Sequence, residues 1–413
     1  MQRRILLLAP FPPRLDGEHG GSRTIANLVA GLADHHRVAV LCLRTKDEPP
    51  VDPALARMCD LAEELVRPGV AHSSVRPLPR MGRLLPALAR GRPLWVAARW
   101  SRAFARRVRA LVAGWRPEII QMEYHAMGQY AAALHPSAGP RVLTFHEPGV
   151  QAAAELAARS RGARRIFWQR DLRMWRRYER ELLDSVDAAV VFTERDRSTL
   201  AGLGGRAPLV RIPLSVPLPP APLDPLGTDP PALLFLGNFV HPPNADAARH
   251  LARDIFPALR DLHPTLQLWI VGPGGAVALD GLDLRSIVVT GRVPDVTPWL
   301  ERCAIVVAPL RLGGGMRVKV AEALAAGKAI VATSIALEGL DLEAGRDALV
   351  AEDARDFTIA ISSLLDDPER RAALARAARD WAESNLGRQR FVDEYARLYE
   401  RLLEGRGVPA GCP

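Results

Sequence analysis

The sequence predicts an α/β protein built from two doubly wound, Rossmann-like domains, and three observations carry that reading. Short, continuous apolar runs alternate with helical segments, as expected of parallel sheets covered by helices on both faces. The alternation runs through once, stops, and then begins again. Between the two series lies V-P-L-P-P-A-P-L-D-P-L-G-T-D-P-P (216–231), too rich in proline for a helix or a central strand. We therefore expect an N-terminal domain over 1–215, a semi-rigid linker over 216–231, a second domain over 232–385 and a C-terminal helical segment over 386–413.

In the first series, Arg4–Ala9 reads as a strand, followed by a loop that ends in Gly20-Gly21. Ser22 is the expected cap of a helix running to Ala33, and residues 37–43 form the second strand. Residues 119–122, Arg141–Phe145 and 188–192 continue the same sheet. Polar residues follow two of these strands at once: Glu123-Tyr124-His125 and His146-Glu147. In such sheets the residues just past the strand ends face the ligand crevice.

The second series opens with strand Ala232–Leu236, the turn Gly237-Asn238 and a helix starting at 244. Gln267–Val271 is a strand leading into Gly272-Pro273-Gly274-Gly275, and 287–290 is another. The stretch 305–333 then reads as one complete βαβ unit. Residues 305–310 form a strand, Gly313-Gly314-Gly315 a turn, 318–326 an alanine-rich helix stopped by Gly327, and 329–333 the next strand. Its glycine turn sits at a strand's carboxyl end and a helix N-terminus, where free N–H groups and the helix dipole favour an anion. Arg317 and Lys319 add two cations there, and Glu322 lies one turn on from Lys319. The combination points to a phosphate-bearing ligand with hydroxyls. Helices continue to Leu403.

A chain of 413 residues with 48% hydrophobic content and a mean hydropathy near zero has the makeup of a soluble, multidomain protein. No run approaches the eighteen apolar residues of a transmembrane helix. The apolar run Ile5–Ala9 before Pro10 is too short for a signal-peptide core and suits a first strand. Cys42, Cys59, Cys303 and Cys412 are scattered without metal-ligand spacing or a disulfide framework, which suits a reducing cytoplasm. The formal charge of +9 is local: residues 65–117 hold twelve arginines and no acidic residue, and Arg159–Arg180 nine arginines against Asp171 and Glu179. The rest of the chain is net acidic. No nucleic-acid motif or interleaved aromatic pattern accompanies these arginines.

The motifs F-L-G-N-F-V-H-P-P-N-A-D-A-A (235–248), L-W-I-V-G-P-G (268–274), V-T-G-R-V-P-D-V (289–296) and A-P-L-R-L-G-G-G-M-R-V-K-V-A-E-A-L-A-A-G-K-A-I-V-A-T (308–333) resemble those of the retaining glycosyltransferases of family 4, glycosyl transferases group 1. The similarity extends in outline to the N-terminal half through Gly20-Gly21, V-L-T-F-H-E (142–147) and D-A-A-V-V-F-T-E-R-D (187–196). It implies the GT-B fold, two Rossmann-like domains facing across a cleft, with 386–413 packing back on the first. It also implies metal-free transfer of a sugar from a UDP- or GDP-sugar with retention of configuration, to a glycan, lipid-linked or small-molecule acceptor. No cofactor is implied.

By this resemblance Glu322 is the second glutamate of the family's E-x7-E pattern and holds the donor's ribose hydroxyls. Gly314 stands where the first glutamate would be, similar to a branch whose loop reads G-G-G-x-R-x-K-x-x-E. The family's usual phosphate-binding Arg and Lys are replaced by Gly237-Asn238-Phe239-Val240-His241, so Arg317 and Lys319 are their expected substitutes. His146 is similar to the first-domain histidine that faces the donor sugar. The expected site thus comprises His146, Arg317 and Lys319 as catalytic groups. Gly20, Gly21, Gly237, Asn238, Gly272, Arg292, Val293, Gly313, Gly314, Gly315, Met316 and Glu322 complete the donor side, and Glu123, His125 and Glu147 lie toward the acceptor. No carboxylate is placed as a nucleophile, which favours front-face substitution with the leaving phosphate taking the acceptor's proton.

Two other readings share these features: a nucleotide-sugar epimerase of the same fold, and a non-catalytic, membrane-associated partner in polysaccharide assembly. A membrane contact is expected from residues 97–112, where Trp100, Phe104, Val108 and Leu111 fall on one helical face opposite Arg99, Arg102, Arg106 and Arg109. The expected location is the cytoplasm, at the inner face of the plasma membrane.

Overall fold

The structure is a computed structural model and describes residues 2–17, 20–67, 91–135, 138–313 and 317–405. It divides into two compact units, Met1–Leu214 with Arg388–Pro413 and Ser215–Gly387.

The first unit is built on a seven-stranded parallel sheet in the order β3-β2-β1-β4-β5-β6-β7. Its strands are β1 (Arg4–Ala9), β2 (Arg37–Thr45), β3 (Leu61–Arg67), β4 (Ile119–Glu123), β5 (Arg141–Phe145), β6 (Ala188–Val191) and β7 (Leu209–Arg211). The central strands β4 and β6 are buried at every position; β6 reads as an unbroken apolar run, while β4 carries Gln121 and Glu123 into the interior. The helices that matter here are α1 (Gly20–Ala33), α2 (Arg102–Trp115), α3 (Gly149–Arg159), α4 (Gly162–Leu183) and α5 (Glu194–Ala201). The C-terminal helix Arg388–Leu403 completes this unit, with Val392 packed where a methyl group on Gly31 of α1 would come within 2.2 Å of it.

The second unit carries a six-stranded sheet in the order β10-β9-β8-β11-β12-β13. Its strands are β8 (Ala232–Leu236), β9 (Gln267–Val271), β10 (Ile287–Gly291), β11 (Ile305–Ala308), β12 (Ile330–Ala332) and β13 (Leu349–Val350), again all parallel. Helices α6 (Pro242–His250) and α7 (Val318–Ala325) flank its working end. The proline-rich stretch is fastened to this unit by its backbone, Leu223 N–H donating to Ala326 O and Thr228 N–H to Arg302 O, both at 2.9 Å.

Two local expectations are corrected. Ser22 does not cap α1, which starts at Gly20. The buried Ser22 hydroxyl donates to Pro12 O (2.8 Å) and accepts from Arg14 N–H (3.1 Å), so it ties the helix to the preceding loop. Residues 97–112 are not one amphipathic helix either. The chain breaks at Ser101, whose Oγ accepts Phe104 N–H and caps α2. Phe104, Val108 and Leu111 are spent on the unit's core, leaving only Trp100 of that face 37% exposed. Arg99 does not join the basic face: it is buried, its guanidinium 3.6 Å from the Trp95 ring centroid, and burial with nearby Arg67 lowers its pKa to about 9.

Candidate active site

In each sheet the strand order reverses at one place, between β1 and β4 in the first unit and between β8 and β11 in the second. Crevices outside the carboxyl ends of strands at such points bind ligands in doubly wound proteins. Both places are occupied by residues singled out from the sequence.

In the second unit the turn after β8 interlocks with the turn after β9. Gly272 has φ +136°, and a methyl group there would lie 1.9 Å from Gly237 O. Only glycine allows the two backbones to approach so closely. Phe239 N–H donates to Pro273 O (2.7 Å) and Gly237 N–H to Val271 O (3.1 Å), fixing the interlock. Asn238 closes the turn with its side chain, Oδ1 accepting Val240 N–H at 3.1 Å. Its carbonyl accepts Asn244 Nδ2 at 2.8 Å, and Asn244 Oδ1 in turn accepts the Lys319 ammonium. Helix α6 begins at Pro242, two residues earlier than expected, which places Asn244 in its first turn.

Lys319, in the first turn of α7, is half-buried with Nζ 4.8 Å from the Phe235 ring centroid. Burial, and then the neighbouring Arg317, lowers its pKa from 10.5 to about 7. Arg317 directly precedes α7 and folds back toward Gly313, Nη2 donating to Leu312 O at 3.4 Å. Gly313 has φ +102°, and a methyl group there would meet that guanidinium at 3.0 Å. The pKa of His241 is lowered by burial and by these same two cations. The chain thus sets Lys319 beside Gly237 and Arg317 beside Gly313 at a helix N-terminus, an arrangement whose chemistry favours an anion. Glu322 is half-buried one turn further along α7. Gly314, Gly315 and Met316 lie outside the described residues. Arg292, exposed, and Val293, half-buried, follow β10 at the edge of the sheet, with β9 between them and the switch point.

In the first unit, α1 starts against Tyr124: a methyl group on Gly21 would sit 1.9 Å from the Tyr124 hydroxyl. Tyr124 itself has φ +66° and ψ 146°, a conformation that costs a non-glycine residue about 1–3 kcal/mol. It is held there by its N–H to Thr144 O (2.9 Å) and by stacking on His146, with ring centroids 3.9 Å apart and planes 5° from parallel. His146 Nε2 lies 2.7 Å from Glu123 Oε2. A carboxylate only accepts, so Nε2 carries the proton and Nδ1 remains for other partners.

Glu123, 1% exposed, is held in turn: Gln121 Nε2 donates to its Oε1 (2.7 Å) and to Thr144 Oγ1 (2.8 Å). Two hydroxyls from the C-terminal helix close this network, Tyr399 donating to Gln121 Oε1 and Tyr395 paired with Thr144 Oγ1, each at 2.9 Å. Glu123 thus acts on the site through His146. His125 is also interior, between the rings of Trp95 (4.7 Å) and Trp175 (4.6 Å), and burial drives its pKa down to about 3. Of the three residues expected toward the acceptor, Glu147 alone is more than marginally exposed.

The sequence reading placed Tyr124 past a strand end without giving it a role, and missed Asn244 and the tyrosine pair. Asn244 carried a signal, a polar residue in H-P-P-N just past a buried strand. Nothing in the spacing of Tyr395 and Tyr399 joins them to His146.

Among the described residues no helix is long and apolar enough to cross a membrane. Comparison with curated proteins by sequence yields no match. By structure, the chain resembles sucrose-phosphate synthase (tll1590) from Thermosynechococcus elongatus, with a TM-score of 0.71, 17% identity and coverage of 98% of this chain and 100% of that one. It also resembles Anabaena Alr3699/HepE in complex with UDP-glucose (TM-score 0.65, 13% identity, 97% of this chain and 100% of that one). A third likeness is the lipopolysaccharide outer core galactosyltransferase WaaB (TM-score 0.60, 12% identity, 96% and 99%). The fold is GT-B. The sequence model described as Glycosyltransferase Family 4 matches residues 19–218, and that described as Glycosyl transferases group 1 matches residues 230–367. With the two models together matching both halves, the chain belongs to the group 1, family 4 glycosyltransferases.

Proposed function

We propose that the protein transfers a sugar from a UDP- or GDP-sugar to a hydroxyl of a glycan, lipid-linked or small-molecule acceptor, with retention of configuration and without a resident metal. The observation that carries this reading is the pair of cations at the N-terminus of α7, Lys319 beside Gly237 and Arg317 beside Gly313. Fixed cations in a partly dry site take the role of stabilising a leaving diphosphate. Glu322 accepts from the ribose hydroxyls. The UDP-glucose complex of the Anabaena protein supports a uridine donor among the candidates.

The chemistry assigned to these residues is a single exchange. The bond from the anomeric carbon to the diphosphate oxygen breaks, and a bond from that carbon to the acceptor oxygen forms on the same face. The acceptor's proton passes to the departing phosphate oxygen. His146, oriented by Glu123 and by the stacked Tyr124, is assigned to a hydroxyl of the transferred sugar, and Glu147 to the acceptor side. Gly21 leaves room where a side chain would displace Tyr124.

The test is a panel of nucleotide sugars, read by thermal stabilisation and by release of nucleoside diphosphate, with product configuration followed by NMR. We expect one donor class to stabilise the wild type. In Glu322→Ala that donor should bind about ten- to a hundredfold more weakly, the loss of a charged acceptor contributing about 1.5–3 kcal/mol. Failure of every nucleotide sugar to stabilise the protein, or unchanged donor binding in folded Glu322→Ala, would overturn the assignment.

A further inference from the structure

Helices α3 and α4 form a hairpin turned at Ser160-Arg161, and its two ends differ sharply. The end near the sheet is fastened. The buried Glu179 carboxylate accepts Gly149 N–H (2.6 Å) and Val150 N–H (3.1 Å), and Trp175 Nε1 donates to Asp171 Oδ2 (3.0 Å). A methyl group on Gly149 would lie 2.3 Å from the Trp175 ring.

The distal end stands in solvent. From 161 to 170 every residue is exposed except the half-buried Trp168. Ile166 is 71% and Phe167 47% exposed, with Leu156 of α3 at 40%. Around them stand exposed Arg161, Arg164, Arg165, Arg170, Arg173 and Arg176. The basic strip continues into a groove of about 920 Å³ among α3, α4 and α5, lined in part by Arg173, Arg176, Arg180 and Arg195.

We propose that this hairpin tip and the adjoining groove dock the protein on an anionic lipid bilayer, with Ile166 and Phe167 entering the interface and the arginines meeting headgroup phosphates. A helix with large apolar side chains amid arginines is the makeup of an interfacial, non-spanning element. A soluble polyanion would use the arginines but would gain nothing from a 71% exposed isoleucine. A second copy meeting this one through the same surface would set one cationic tip against another. The inference stands on this surface alone and is independent of the donor assignment.

The experiment is co-sedimentation of the full chain with vesicles of phosphatidylcholine alone, and of phosphatidylcholine and phosphatidylglycerol in equal parts. Binding is expected only to the anionic vesicles and to weaken with added salt. The double variants I166S/F167S and R164E/R165E should each weaken it about tenfold or more while keeping the wild-type circular dichroism and melting temperature. Three results would overturn the proposal: no binding to anionic vesicles at low salt, undiminished binding in both folded variants, or self-association abolished by I166S/F167S without any vesicle binding.

Discussion

At the residue scale, Lys319 makes the donor assignment testable through protons. In the free protein burial and Arg317 hold its pKa at about 7, so above that pH the amine is largely neutral. A diphosphate beside it favours the ammonium, and binding should therefore take up a proton. Affinity for a nucleotide sugar, whose doubly esterified diphosphate does not titrate near neutrality, should be flat just below pH 7 and fall as pH rises above it, by up to about tenfold per unit until the complex itself titrates. Nearby His241 is lowered by burial and the two cations, so it titrates below this window. Calorimetry in buffers of unlike ionisation enthalpy reads the proton directly; no uptake at pH 8 would detach Lys319 from the phosphates. His146 is assigned a contact that tightens as charge develops on the sugar, so His146→Ala should lower kcat more than it raises the donor's KM. A variant that loses affinity alone would make it a binding residue.

At the scale of elements, the C-terminal helix reaches His146 through hydrogen bonds, so Tyr399→Phe should do two things. It leaves the buried Gln121 Oε1 without its tyrosine donor, which costs about 1–3 kcal/mol in a denaturation experiment. It also loosens the brace on Glu123, lowering turnover at unchanged donor affinity. Equal stability and turnover in Tyr399→Phe would mean that this branch of the network ends at Gln121. Elements of this kind mark the limit of what the sequence discloses. Central strands are buried on both faces, so their apolar runs and carboxyl ends were legible, and with them Gly237, Lys319 and His146. Of the edge strands only β10 was read: β3 carries Glu63 and Glu64, ion-paired with Arg107 and Arg44, and β7 and β13 are too short to show a pattern. The apolar face of α2 was legible as a face, yet periodicity cannot tell a core from a bilayer as its partner. The bond from Tyr399 to Gln121 joins residues 278 apart, and only the assembled fold reveals such a contact.

For the whole molecule, the two units differ in how the chain builds them. The second is continuous, Ser215–Gly387, and its fastening bonds close within it, from Val216 N–H to Leu386 O and from Leu223 N–H to Ala326 O. A segment of that size carries a core sufficient for independent folding. The first unit is discontinuous and takes its last helix from beyond the second. That helix buries Phe391, Val392, Tyr395, Leu398 and Tyr399. At about 1.5–3 kcal/mol for each buried large side chain, its loss rivals the whole net stability of about 5–15 kcal/mol typical of a domain. Residues 215–387 alone should therefore melt cooperatively and bind nucleoside diphosphates with near wild-type affinity, since Gly237, Gly272, Arg317, Lys319 and Glu322 all lie within them. They should show no turnover, because His146 does not. Residues 1–214 alone should lack a cooperative transition and regain one when 388–413 is supplied as a fused segment. A cooperative melt of 1–214 at the wild-type temperature would mean that the helix is an accessory and that the bonds from Tyr395 and Tyr399 brace a histidine already held in place. Loss of nucleotide binding by a folded 215–387 would instead mean that donor affinity depends on groups in the first unit.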